Sequence, residues 1–155
     1  MPKWPVAIIV LAAVPVMAAP EAISVHSGWG AFRNDGTCYA IAMAQPSPYS
    51  RERQPFASIS MAAGKPRFTM RLSRTIARDA VVTLDVGNRR FRLEGGGDSA
   101  WGKDDSTGSG AIIEAIRLRS TMTVGARDTS GRRFRDAYDL TGAPTAMDAA
   151  LLACR

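Results

Sequence analysis

Hydrophobic residues fall at every second position through most of this chain, and that alternation predicts strands. Trp29-Gly-Ala-Phe-Arg reads as one strand, Asn34-Asp35-Gly36 as a turn, and Cys38 to Ala44 as the returning strand. In the returning strand Tyr39, Ile41 and Met43 form a large face, while Cys38, Ala40, Ala42 and Ala44 form a uniformly small one. A small face lets another element approach closely. Pro55 opens a further strand over 56–62. After the Gly64-Lys65-Pro66 turn, Phe68, Met70 and Leu72 alternate with Arg67, Thr69 and Arg71. Ala80 to Val86 repeats the pattern, Gly87-Asn88 suits a tight hairpin turn, and Phe91 and Leu93 mark the inward face of the strand that follows.

The pattern changes at Gly95–Gly110, where glycines, serines and aspartates surround Trp101 and predict a long surface loop. Ile112, Ile113 and Ile116 then fit one side of a short helix over 111–118. Strands are predicted over 120–127 and 132–140, joined by a turn at Asp128-Thr-Ser-Gly131. A final helix follows Gly142, with Pro144 in its first turn and Met147, Ala150, Leu151 and Cys154 at spacings of three and four. Seven to eight short strands with one inserted helix and a C-terminal helix predict an all-β, mainly antiparallel β-sandwich or barrel.

The N-terminus departs from this pattern. Residues 1–18 have a basic start at Lys3, an apolar run from Val6 to Met17, and Val16 and Ala18 at the −3 and −1 positions of a small-residue cleavage site. They predict a signal peptide, cut after Ala18, ahead of a single domain over 19–155 that has no transmembrane segment of its own. Residues 19–27 read as a loosely held lead-in, with His26 exposed. The expected location is periplasmic or secreted, and in such a compartment the chain's two cysteines, Cys38 and Cys154, are expected to form a disulfide. The bridge would fasten the first hairpin to the last helix.

Composition narrows the chemistry further. The chain carries 20 Lys and Arg against 14 Asp and Glu, a formal net charge of +6. All the cations except Lys3, Lys65 and Lys103 are arginines. Arg67 and Arg71, Arg90 and Arg92, and Arg133 and Arg135 point outward on three predicted strands. If those strands are neighbours, they form a guanidinium-rich face able to hold phosphate or carboxylate groups of anionic lipid, lipopolysaccharide or acidic glycan. A solvated, solubilising face is the simpler reading of the same charges. Trp101 is a second candidate, as an anchor for a partner protein. No nucleic-acid partner is expected, because no aromatic platform is interleaved with the arginines.

Catalytic readings are weaker. Gly97–Asp104 has the glycine and lysine spacing of a phosphate-binding loop, but Asp104 stands where a magnesium-holding hydroxyl belongs. A hydrolase would have to use Ser99 with His26, the single histidine, or the neighbouring carboxylates Asp104 and Asp105. No enzyme activity, cofactor or metal site is expected.

The order of features resembles the invasion-associated locus B family of exported bacterial proteins. The likeness rests on the signal peptide, the Trp29-Gly-Ala-Phe…Cys38-Tyr hairpin, Ala111-Ile-Ile-Glu-Ala-Ile-Arg…Met122-Thr-Val, and the closing Tyr138-Asp-Leu-Thr-Gly-Ala…Met147-Asp-Ala-Ala-Leu-Leu. The resemblance implies an all-β periplasmic or envelope-associated protein, linked in some pathogens to host-cell invasion and without established enzymatic activity. Many members carry a second, closely spaced cysteine pair in the region corresponding to Gly95–Gly110. This chain has glycines and aspartates there.

Overall fold

The computed structural model describes Met1 and residues 18–62, 64–105 and 107–155. The expected signal peptide lies almost wholly outside the described residues. The first five strands are β1 (Glu21–His26), β2 (Trp29–Asn34), β3 (Thr37–Met43), β4 (Phe56–Ala62) and β5 (Lys65–Arg71), each pairing antiparallel with the next. β6 (Val82–Val86), β7 (Arg89–Gly96) and β8 (Ser99–Trp101) follow, then helix α1 (Ser109–Leu118). β9 (Thr121–Arg127), β10 (Arg133–Asp139) and helix α2 (Ala143–Ala153) complete the chain. The strands form one ten-stranded sheet in the order β1-β2-β3-β4-β5-β8-β7-β6-β9-β10.

The fold is therefore all-β and antiparallel with an inserted and a C-terminal helix, but it has ten strands where the alternation predicts seven or eight. Two strands account for the difference. Residues 21–26 are not a loose lead-in: they form edge strand β1, whose pairing with β2 is interrupted by an irregularity between Ala22 and Ser24 that breaks the sequence alternation. β8 falls inside the glycine-rich stretch, which is consequently not one long loop. It is only three residues long, and its pairing is dictated by β5 and β7 on either side. His26 is likewise half-buried, with its ring Nε2 3.0 Å from Ser24 Oγ.

β7 joins two halves of the sheet. Its first part pairs with β6 and its last residues with β8, and the halves fold over a common core. Ile59, Phe68, Met70 and Leu72 from one half meet Leu84, Val86, Met122, Val124 and Tyr138 from the other. The two ends of the sheet also approach each other, as in a barrel. Trp29, fully buried on β2, donates its indole N–H to the carbonyl of Asp139 at 2.9 Å. The Gln45 N–H reaches the carbonyl of Ala137 on β10 at 2.7 Å.

Helix α2 covers the small face of the first hairpin. Ala31 and Cys38 pack with Ala150, and Ile23, Ala149, Ala153 and Cys154 surround them. Met147 and Ala150 are buried, whereas Leu151, expected on the same stripe, is exposed. The larger residues Tyr39, Ile41 and Met43 point away from the helix, because strand side chains alternate. Cys38 and Cys154 form the expected disulfide, with Cα atoms 5.8 Å apart and a sequence separation of 116. Gly142 starts the helix with φ +87°, and a Cβ there would run into the carbonyl oxygen of His26.

Two stability predictions follow from this corner. The bridge closes most of the domain into one loop, worth up to about 4–5 kcal/mol on chain entropy. Cys38→Ser should therefore lower the melting temperature sharply in oxidising buffer, by the same amount that reductant lowers the parent; equal midpoints for variant and oxidised parent would contradict this. Gly142→Ala should destabilise the protein in chemical denaturation despite alanine's higher helix propensity, since both positive φ and steric contact oppose it.

Candidate functional site: an arginine-lined outer face

In the β7-β6-β9-β10 half of the sheet, alternation sends Val82, Leu84, Val86, Met122 and Val124 inward. Thr83, Asp85, Thr123 and Gly125 consequently face outward. Register then fixes which outward residues meet. One row across the strands runs Arg92, Thr83, Gly125, Arg135, and Arg90 lies opposite Asp85 in the next. Arg127 lies opposite Arg133 at one end of the β9–β10 pair. Gly125 contributes no side chain, so the floor dips there. The resulting trough has a volume of about 730 Å³ and is lined by Thr83, Asp85, Arg90, Arg127, Arg133 and Arg135, among others.

Asp85 is the acid at the centre of this cationic face. Arg90 grips it with two hydrogen bonds, Nε to Oδ1 at 2.7 Å and Nη2 to Oδ2 at 3.2 Å, and Arg135 Nη2 lies 3.9 Å away. The Arg90 hydrogen bond is the main reason its carboxyl is held below the usual carboxylate range; partial burial opposes this, and the charges of Arg90 and Arg135 reinforce it. Asp85 thus offsets part of the positive charge at neutral pH. Arg92 and Arg133 make no ion pair among the described residues, and the face retains a cationic excess.

The structure places the candidate residues in two groups. Arg90, Arg92, Arg133 and Arg135 share the face just described. Arg67 and Arg71 do not: they stand on β5 in the other half, where Arg67 pairs with Asp104 at 2.7 Å and Arg71 with Asp98 at 3.0 Å. Trp101, on β8, also faces out from that half and is 37% exposed; its indole N–H donates to Glu94 Oε2 at 3.0 Å. The sequence reading missed Arg127, Asp85 and Gly125. Their outward phase is visible in the alternation, but the neighbour relation of β6 and β9 is not.

The residues of the hydrolase readings are dispersed. Ser99 and His26 lie on β8 and β1, with β2 to β5 between them in the sheet. The Ser99 hydroxyl donates to Asp98 Oδ1 at 3.2 Å. Asp104 is engaged by Arg67, whereas Asp105 accepts from the Thr107 hydroxyl at 2.8 Å and the Gly108 N–H at 2.7 Å, forming the turn before α1. The phosphate-loop reading fails on context as well. Residues 99–101 are a strand paired on both sides, so the amides of that segment are committed to neighbours.

A network of buried charge lies beneath the β10 side of the face. Asp136 is fully buried, accepts the Ser73 N–H at 3.0 Å, and has Arg51 Nε 3.4 Å away. Burial first, and the Asp136 charge second, push the neighbouring Tyr138 phenol up out of the physiological range, so it stays protonated; Arg51 offsets this in part. Asp128 is buried too. Burial alone would raise its pKa, but the N–H groups of Arg132 and Ser130, with the charges of Arg132 and Arg74, bring the net value below the ordinary one.

A depressed carboxylate stabilises the fold above the unfolded-state pKa of about 3.9, and its contribution is lost as pH falls through the lower folded value. Asp128→Asn should therefore reduce the melting temperature at neutral pH, and the gap to the parent should narrow in strong acid. A constant gap across that range would contradict the assignment. Comparison of the chain with protein-family models, with curated proteins and with solved structures finds no match in any of the three.

Proposed function

We propose that this protein is a non-enzymatic exported binding module of the bacterial envelope, holding phosphate or carboxylate groups against the outer face of β7, β6, β9 and β10. One observation carries the reading: among the described residues neither Arg133, which lines the trough, nor Arg92, opposite Thr83 at its margin, makes an ion pair, whereas the trough's other arginines are already positioned by Asp85 and Gly131. Planar guanidinium forks match phosphate and carboxylate geometry, and an open trough over a rigid sheet suits a headgroup that projects from a larger assembly. The Cys38–Cys154 disulfide favours an oxidising compartment, in keeping with the N-terminal signal pattern. No helix of the described residues is long and apolar enough to cross a membrane. The residue-level resemblance to the invasion-associated locus B family supports the envelope setting.

Co-sedimentation with vesicles tests the reading. The residue 19–155 protein should pellet with phosphatidylglycerol vesicles, or with lipopolysaccharide aggregates, at low ionic strength, and far less with phosphatidylcholine. Arg92→Glu combined with Arg133→Glu should abolish the difference, and Asp85→Asn should strengthen binding by removing the carboxylate that Arg90 and Arg135 engage. Association that ignores both salt and these substitutions would dispose of the proposal.

A further inference from the structure

The free edge of β10 borders a second concavity, of about 620 Å³, whose opposite wall is the 46–51 loop. Strand pairing leaves alternate backbone groups of an edge strand unused. On β10 the even-numbered residues are committed to β9: just outside the ladder, the Asp128 N–H still reaches the carbonyl of Arg132 and the Leu140 N–H that of Ser120. The N–H and C=O groups of Arg133, Arg135 and Ala137 therefore point the other way, toward the loop. Among the described residues only one of them is met by backbone there, the Ala137 carbonyl, by Gln45. Beyond Gln45 the neighbouring chain reads Pro46-Ser-Pro48, and prolines have no N–H with which to continue a ladder. The loop diverges and leaves the edge open at Arg133 and Arg135.

The far wall is fixed in place. Arg51 donates to the Gln45 carbonyl at 2.9 Å and reaches Asp136, while Arg74 donates to the Ser50 carbonyl at 2.7 Å. The slot between wall and edge is cationic, with Arg132, Arg133 and Arg135 on the strand side and Arg51 and Arg74 on the other. Pro46, Pro48 and the exposed ring of Tyr49 add an apolar lip.

We infer that this slot takes up an extended acidic peptide segment of a partner protein as an added strand on β10. The backbone of such a segment completes the ladder that Pro46 and Pro48 cut short, and its carboxylates meet the flanking arginines. The same arginines oppose the edge-to-edge pairing of two copies of this chain, because like charges would face one another. Charge thus selects for an acidic partner and against self-association. The inference concerns a different surface from the trough on the sheet face, although Arg133 and Arg135 border both.

The test uses a fluorescein-labelled peptide of alternating glutamate and valine, about six residues long so that its central residues cover the open edge at Arg133 and Arg135, read by anisotropy. It should bind the disulfide-intact protein, and a glutamine–valine counterpart should bind much more weakly. Two further peptides carry N-methyl groups on alternate residues, one set in each phase. Only one phase points its N–H groups at β10, so one methylated peptide should lose roughly tenfold or more in affinity and the other should not. Arg135→Pro, which removes an edge N–H without touching the β9 ladder, should weaken binding beyond Arg135→Ala. It should match Arg135→Ala in vesicle binding, so this inference and the sheet-face reading fail separately. No binding of the acidic peptide, or equal losses from both methylation phases, would overturn the proposal; the peptide readout stands even if Arg135→Pro does not fold.

Discussion

Everything in this structure depends on how closely α2 can approach β2 and β3. Ala31, Cys38 and Ala150 meet at the contact, where any larger side chain would hold the helix off the sheet. That close seating places Cys154 within bonding distance of Cys38. It also sets the path of the preceding turn, where Gly142 passes against His26. Trp29 ties the same hairpin to the end of β10. The sheet is curled because its first hairpin and its last strand are both held to this one corner.

The distribution of charge follows from the curl. In the β1-to-β5 half, outward arginines are matched by acids on neighbouring loops, Asp98 and Asp104 among them. In the other half, outward arginines on β7 and β10 converge on a single carboxylate, Asp85. The same residue type therefore has two roles. On one half it ties loops to strands, and on the other it gathers around one acid and leaves a cationic excess on the sheet face.

The two-residue period made most strands and both helices legible, and with them the inward core. The small face of β3 pointed to helix docking, because a run of Cys38, Ala40, Ala42 and Ala44 lets another element approach closely. The sequence did not disclose β8, since Ser99-Ala-Trp101 is extended only because β5 and β7 pair with it. It also could not say that β6 sits beside β9. Strand adjacency is a tertiary property, which is why Arg90 and Arg133 could be named as candidates while Arg67 and Arg71 were grouped with them on the wrong half. The 46–51 wall was equally hidden, because its position depends on Arg51 reaching a buried Asp136.

The alanine floor has a further consequence for how the chain reaches this state. Strands β1 to β4 pair only with sequence neighbours, so that meander can assemble from short loops, whereas α2 docks across more than a hundred residues. An interval must therefore exist in which the hairpin is formed and its inner face is bare. Partly folded sheets aggregate through exposed apolar surface, and the penalty grows with the area left uncovered. A floor of alanines exposes the least such area of any apolar face. The residues that let the helix sit close at the end also keep the waiting intermediate from sticking to its neighbours.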